Sequence, residues 1–81
     1  MKARIYVTLK PSVLDPQGQA VAHALVRMGH AGVQGARIGK YIELELDDTT
    51  SAADVDTMCR KLLANQVIED FRVELEKKGK R

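Results

Sequence analysis

The chain has 81 residues, 44% of them hydrophobic and 30% charged, and 13 basic against 11 acidic side chains leave a net charge of +2. That length allows one domain with a thin core, burying only ~60–65% of the surface its unfolded form exposes, so association with a partner would add the missing burial. That charge is too balanced to imply nucleic acid or an anionic membrane as an obligatory partner. The single Cys59 rules out an internal disulfide and fits a reducing compartment. No apolar run approaches the ~20 residues that span a bilayer. The start, Met1-Lys2-Ala3-Arg4-Ile5-Tyr6-Val7, alternates and lacks the continuous apolar stretch of a secretion signal, which points to the cytoplasm.

Ile5, Val7 and Leu9 share one face of a first strand, with Arg4, Tyr6 and Thr8 opposite, and Pro11 ends it. Asp15-Pro16 opens a helix, because Asp caps well and proline at the first helical position loses no needed hydrogen bond. Ala20/Val21, Ala24/Leu25 and Met28 form its expected buried stripe. Gly29 suits the residue after the last turn, where φ is often positive. Val33 to Ile38 predicts a short second strand, weakened by Gly35 and therefore an edge or bulged element, with Gly39-Lys40 as a tight reversal. Ile42, Leu44 and Leu46 then point inward from a third strand, with Tyr41, Glu43 and Glu45 outward. Ser51 and Asp54 have the spacing of a capping box for a second helix. Val55, Met58/Cys59 and Leu62/Leu63 give it the strongest apolar stripe in the chain. A last strand sets Phe71, Val73 and Leu75 against Arg72, Glu74 and Glu76.

The order β-α-β-β-α-β predicts an α+β, ferredoxin-like domain over residues 1–76, with a four-stranded antiparallel sheet and two helices on one face. Residues 77–81 read as a polar, frayed tail. Alternation of strand direction gathers Lys10 to Gln17, the Arg37–Lys40 reversal and the Ala64–Asp70 connection at one end of the sheet.

Cys59 lies on an apolar helical stripe, where a free cysteine acts as a small hydrophobe. Nothing near it in sequence would depress its pKa. His23 and His30 lack a third ligand at metal-binding spacing. Glu43/Glu45 and Glu74/Glu76 fall on the polar sheet face, where Arg4 and Arg72 could neutralise them; this reads as a solvated or dimer-facing pattern. The glycines match no phosphate-binding fingerprint. Tyr6 and Tyr41 are the only aromatic residues on that face, too few for RNA stacking. Lys10, Arg37 and Lys40 near Asp15 could hold a carboxylate, a phosphate or an acidic partner surface, or they could be ordinary loop charges beside a helix cap.

These loops carry a resemblance. The stretches Val7-Thr8-Leu9-Lys10-Pro11-Ser12-Val13-Leu14-Asp15-Pro16-Gln17-Gly18, Arg37-Ile38-Gly39-Lys40-Tyr41-Ile42-Glu43, Met58-Cys59-Arg60-Lys61-Leu62-Leu63-Ala64-Asn65 and Val67-Ile68-Glu69-Asp70-Phe71 closely resemble the PurS subunit of bacterial phosphoribosylformylglycinamidine synthase. The likeness covers nearly the whole chain. Gln66 departs from the proline the family commonly has after the Ala-Asn pair.

The resemblance implies a non-catalytic assembly subunit in the fourth step of de novo purine biosynthesis. Such a subunit joins a glutaminase (PurQ) to an ATP-dependent synthetase (PurL), so that ammonia from glutamine reaches formylglycinamide ribonucleotide. It implies a homodimer or tetramer. It also implies that ATP and Mg are bound by the synthetase and that this chain binds no cofactor or metal. Lys10, Asp15, Gln17, Arg37 and Lys40 are the expected partner-docking residues, and no catalytic residue is expected. The alternatives are an amino-acid-binding regulatory module of the same topology and a stand-alone acylphosphatase-like enzyme. The enzyme would want an Arg in the first loop together with an Asn, and the chain has only Asn65, with no Arg in that loop.

Overall fold

A computed structural model describes residues 1–76; the expected tail, 77–81, lies outside the described residues. In chain order the elements are β1 (Lys2–Leu9), α1 (Pro16–Arg27), β2 (Gly39–Glu45), α2 (Ala52–Met58), a π-helical turn (Cys59–Leu63) and β3 (Glu69–Glu76). The sheet has the order β2-β1-β3, with both neighbours antiparallel to the central β1. Ile5 sits opposite Ile42 on one side and Val73 on the other. The period-two pattern thus places one apolar face on all three strands.

That face forms the core. Ala3, Ile5 and Val7 of β1 are buried with Val55, Cys59 and Ala64, and Ile42, Leu44, Leu46, Leu63, Phe71 and Val73 pack around them. Ser51 caps α2 as its sequence requires: its side chain accepts from the Asp54 amide, and Asp54 accepts from the Ser51 amide. The reverse face is polar and internally paired. Arg4 meets Glu76 at 2.6 Å, Arg72 meets Glu74 at 2.6 Å and Lys2 lies 3.9 Å from Glu43. Arg72 also stacks over the Tyr6 ring, 4.2 Å from its centroid.

Three expectations are corrected. First, the sheet has three strands, not four, because Val33 to Ile38 joins no ladder. Gly35 weakens its β tendency, and the Ile38 amide is taken by the Asp15 carboxylate at 2.8 Å. Gly39 and Lys40 make no reversal; they open β2, opposite Thr8 and Val7. Second, only one helix covers the sheet. No residue of α1 belongs to the core cluster, and Ala20, Val21 and Met28 of its predicted stripe are exposed. The buried positions of α1 are Gly18 and Ala22. Third, α2 does not continue as α-helix through Leu63. Ala64 donates to the Cys59 carbonyl at 2.9 Å, the wider spacing of a π turn, which turns Leu62 out to 82% exposure.

The helix α1 itself follows its sequence signals. Asp15 caps it through the Gly18 amide, and Pro16 occupies the first turn. At the other end Gly29 has φ 105°, its amide reaches the Val26 carbonyl, and the His30 amide reaches that of Leu25. The longest dimension of the chain is 49 Å. An eight-residue strand is only ~27 Å long, and a twelve-residue helix adds ~18 Å, so α1 stands away from the sheet as an arm. The radius of gyration, 16.3 Å, exceeds the ~12 Å of a compact chain this long.

Candidate functional site

Three loops meet where β1 ends. Pro11 stops the strand, and the Val13 amide closes a turn onto the Lys10 carbonyl at 2.9 Å. The Lys10 amide donates to the Ile68 carbonyl at 2.8 Å, and its ammonium pairs with Asp70 at 2.8 Å. These contacts tie the loop after β1 to the one before β3. Arg37 ties it to the segment before β2. Its Nη2 donates to the Leu9 and Lys10 carbonyls at 3.0 and 2.9 Å, with longer contacts of 3.4 Å to the Val13 carbonyl. The planar guanidinium suits such a bundle of carbonyls, since it offers several donors in fixed directions.

Asp15 is the innermost member, 4% exposed. One carboxylate oxygen accepts from the Gly18 amide at 2.9 Å and the other from the Ile38 amide at 2.8 Å. These two bonds, the Ile38 one foremost, together with the nearby Arg37 charge, hold its carboxyl below the ordinary aspartate pKa despite its burial. A residue expected as a cap is therefore a clamp that joins the start of α1 to a segment 23 residues away. Gly18 makes the approach possible: a Cβ there would lie 2.3 Å from the Ala36 carbonyl oxygen.

Of the five predicted docking residues, all five fall in this one cluster. Lys10 is paired with Asp70, Arg37 is spent on backbone carbonyls, and Asp15 is turned inward. Lys40 reaches towards the Leu63 carbonyl at 3.5 Å. Gln17 and Lys40 line a cleft of about 230 Å³ with Asp15, Ile38 and Glu69. Leu14, which precedes Asp15 in the chain, and Val67, in the segment before β3, carry exposed apolar side chains.

Sequence reasoning missed two contributors, Gly18 and Asp70, and the contacts of a third, Gln66. Gly18 was open to detection, because glycine inside a helix costs ~1 kcal/mol relative to alanine and so marks a tight approach. Asp70 gave no signal beyond its charge. Gln66 exchanges hydrogen bonds with Arg60: the Arg60 Nη1 donates to its carbonyl oxygen at 3.0 Å, and its amide nitrogen donates to the Arg60 backbone carbonyl at 3.3 Å. This pair braces the turn where relatives are expected to carry proline.

Cys59 is fully buried, and burial pushes its thiol pKa up, which keeps it protonated and packed in the core. Among the described residues no three His, Cys, Asp or Glu side chains converge on a metal-sized site. The geometry of the loop end is that of a shaped, preordered surface.

Comparison with known proteins identifies the family. The family model for PurS, phosphoribosylformylglycinamidine (FGAM) synthase, matches residues 2–77. The PurS subunit of the synthase from Bacillus subtilis strain 168 is 56% identical over 77 residues, covering 93% of this chain and 92% of that protein. A solved structure of B. subtilis PurS superposes with a TM-score of 0.83 at 56% identity, over 94% of this chain and 98% of that one. A Thermotoga maritima PurLQS structure contains a chain that matches at TM-score 0.78 and 29% identity, over 90% of this chain and 93% of its own length. A match over residues 2–77, with the fold shared over nine-tenths or more of the chain, means that this chain belongs to the PurS family of phosphoribosylformylglycinamidine synthase subunits.

Proposed function

We propose that this chain is the non-catalytic assembly subunit of an FGAM synthase, in de novo purine biosynthesis, and that it docks onto a glutaminase and an ATP-dependent synthetase through the loop end of its sheet. ATP and Mg belong to the synthetase in this reading, and the compartment is the cytoplasm. The observation that carries it is the convergence of Lys10, Asp15, Gln17, Arg37 and Lys40 from two sequence-distant loops into one preordered rim. A rigid rim loses little freedom on binding. That matters because ammonia released in one active site must reach another before it escapes or is protonated, which requires the two to be held in fixed relation. The Thermotoga relative comes from a PurLQS assembly, which supports the same partners for this chain.

A second copy of the chain is the proposed occupant of the uncovered apolar surface. The arm α1 exposes Val21, Val26 and Met28, and the inner sheet face is covered by α2 alone. A homodimer or tetramer that buries both supplies the packing an 81-residue chain lacks.

Reconstitution tests the reading. With purified synthetase and glutaminase, glutamine-driven product formation should require this chain, whereas ammonia-driven formation by the synthetase should proceed without it. Equal glutamine-driven rates with and without the chain would remove the assembly role.

A further inference from the structure

The five residues gathered at the loop end differ in what they have left to offer a partner. Lys40 and Gln17 present side chains beside the cleft, and Leu14 is 65% exposed. Asp15 has both carboxylate oxygens engaged internally, on Gly18 and Ile38. Arg37 lies at the surface, yet its guanidinium donates to the carbonyls of Leu9, Lys10 and Val13. We infer that Asp15 and Arg37 are positioning residues for subunit assembly: they clamp the Pro11–Asp15 loop and the first turn of α1 onto residues 36–38 so that Leu14, Gln17 and Lys40 meet the partner in one fixed arrangement. This inference rests on the docking role proposed above and divides its labour.

Chemistry supports the division. Each hydrogen bond in the clamp joins a side chain to backbone, Asp15 accepting from amides and Arg37 donating to carbonyls, so it fixes where the chain goes and is indifferent to what its side chains display. Apart from the local Asp15–Gly18 bond, the bonds cross 23 to 28 positions of sequence, so they hold two segments as one body. Without the clamp, the loop after β1 would have to be ordered at the moment of docking, and that ordering subtracts from affinity. Gly18 belongs to the same device, since only a residue without Cβ lets the Asp15 turn sit against the Ala36 carbonyl. It is buried and reaches no partner.

The test uses the full chain titrated into synthetase and glutaminase, with the half-saturating concentration for glutamine-dependent turnover as one readout. The other readout is hydrogen exchange at the Ile38 amide in the free chain. Arg37→Ala and Gly18→Ala should each raise the half-saturating concentration about tenfold, the effect of one or two newly mobile groups, and both should speed exchange at Ile38. Asp15→Asn keeps one acceptor and places an NH2 group against the other amide, so it should fall between these variants and the parent. It also serves if Gly18→Ala fails to fold. Leu14→Asp and Lys40→Glu should weaken assembly without opening the Ile38 amide. If Arg37→Ala weakens assembly while Ile38 stays protected, Arg37 is a direct contact and the positioning role is overturned. Faster exchange in Asp15→Asn or Gly18→Ala with unchanged half-saturation overturns it too. If Leu14→Asp and Lys40→Glu leave assembly untouched, the docking surface itself is misplaced, and the positioning role falls with it.

Discussion

Val26 and Val55 sit on different helices, and the same substitution at each separates core from arm. Val55 is 0% exposed in the cluster against β1, whereas Val26 is 43% exposed on α1. Replacing valine with alanine removes about two methylene equivalents, ~1.6 kcal/mol of transfer free energy when the site is fully buried. A residual cavity of some tens of Å³ adds ~1 kcal/mol, and the better helix propensity of alanine returns ~0.5 kcal/mol. Val55→Ala should therefore cost ~2 kcal/mol, a large part of the ~4–12 kcal/mol expected of a domain this size. Val26→Ala leaves no cavity and loses a fraction of the transfer term, so in the isolated chain it should cost ~0.5 kcal/mol or less. Urea unfolding at low protein concentration measures both. With a slope near ~1 kcal/mol per molar, the Val55 midpoint falls by ~2 M and the Val26 midpoint barely moves. Where two copies associate, the Val26 cost should grow with protein concentration, since binding stabilises only the folded form. Equal losses at the two sites, independent of concentration, would refute the account: α1 would then share the core of its own chain.

Other consequences are quickly checked. Ser51→Ala removes half of the capping box on α2 and should cost ~1 kcal/mol, read as a melting temperature about 5 °C lower. Because the Asp15 pKa is lowered by folding, its stabilisation is complete above the unfolded aspartate value of ~3.9 and is lost as pH falls through the folded value. Melting curves between pH 6 and pH 3 should thus fall less steeply for Asp15→Asn than for the parent, and parallel curves would contradict the clamp. Cys59 should react with a thiol reagent only as fast as the chain unfolds, so added urea should accelerate labelling in step with loss of structure.

Much of this architecture is legible from residue pattern alone, and the reasons are local. The alternation through Ile5, Ile42 and Val73 places the three paired strands and their inner face. Asp15-Pro16, Gly29 and the Ser51/Asp54 pair mark helix ends through bonds that reach only a few residues. What escapes the pattern is decided at a distance. Val33 to Ile38 looks like a weak strand, but the Ile38 amide is claimed by a carboxylate 23 positions earlier, a competitor that periodicity cannot show. The stripe on α1 announces that the helix needs an apolar neighbour without saying which chain provides it. The π turn after Met58 shifts the phase of the stripe by one residue, which is why Leu63 lies inward and Leu62 outward. At the loop end, convergence follows from strand direction, whereas the split between clamps and displayed groups depends on individual hydrogen bonds.

The junction between arm and sheet has a mechanical consequence. A helix of twelve residues is a lever ~18 Å long, and a ten-degree swing at its base carries the far tip through ~3 Å. Hydrogen bonds tolerate only a few tenths of an ångström. A single aspartate at the fulcrum therefore governs registry at a distance, and its replacement would blur the alignment of everything the lever touches well before the fold itself gave way.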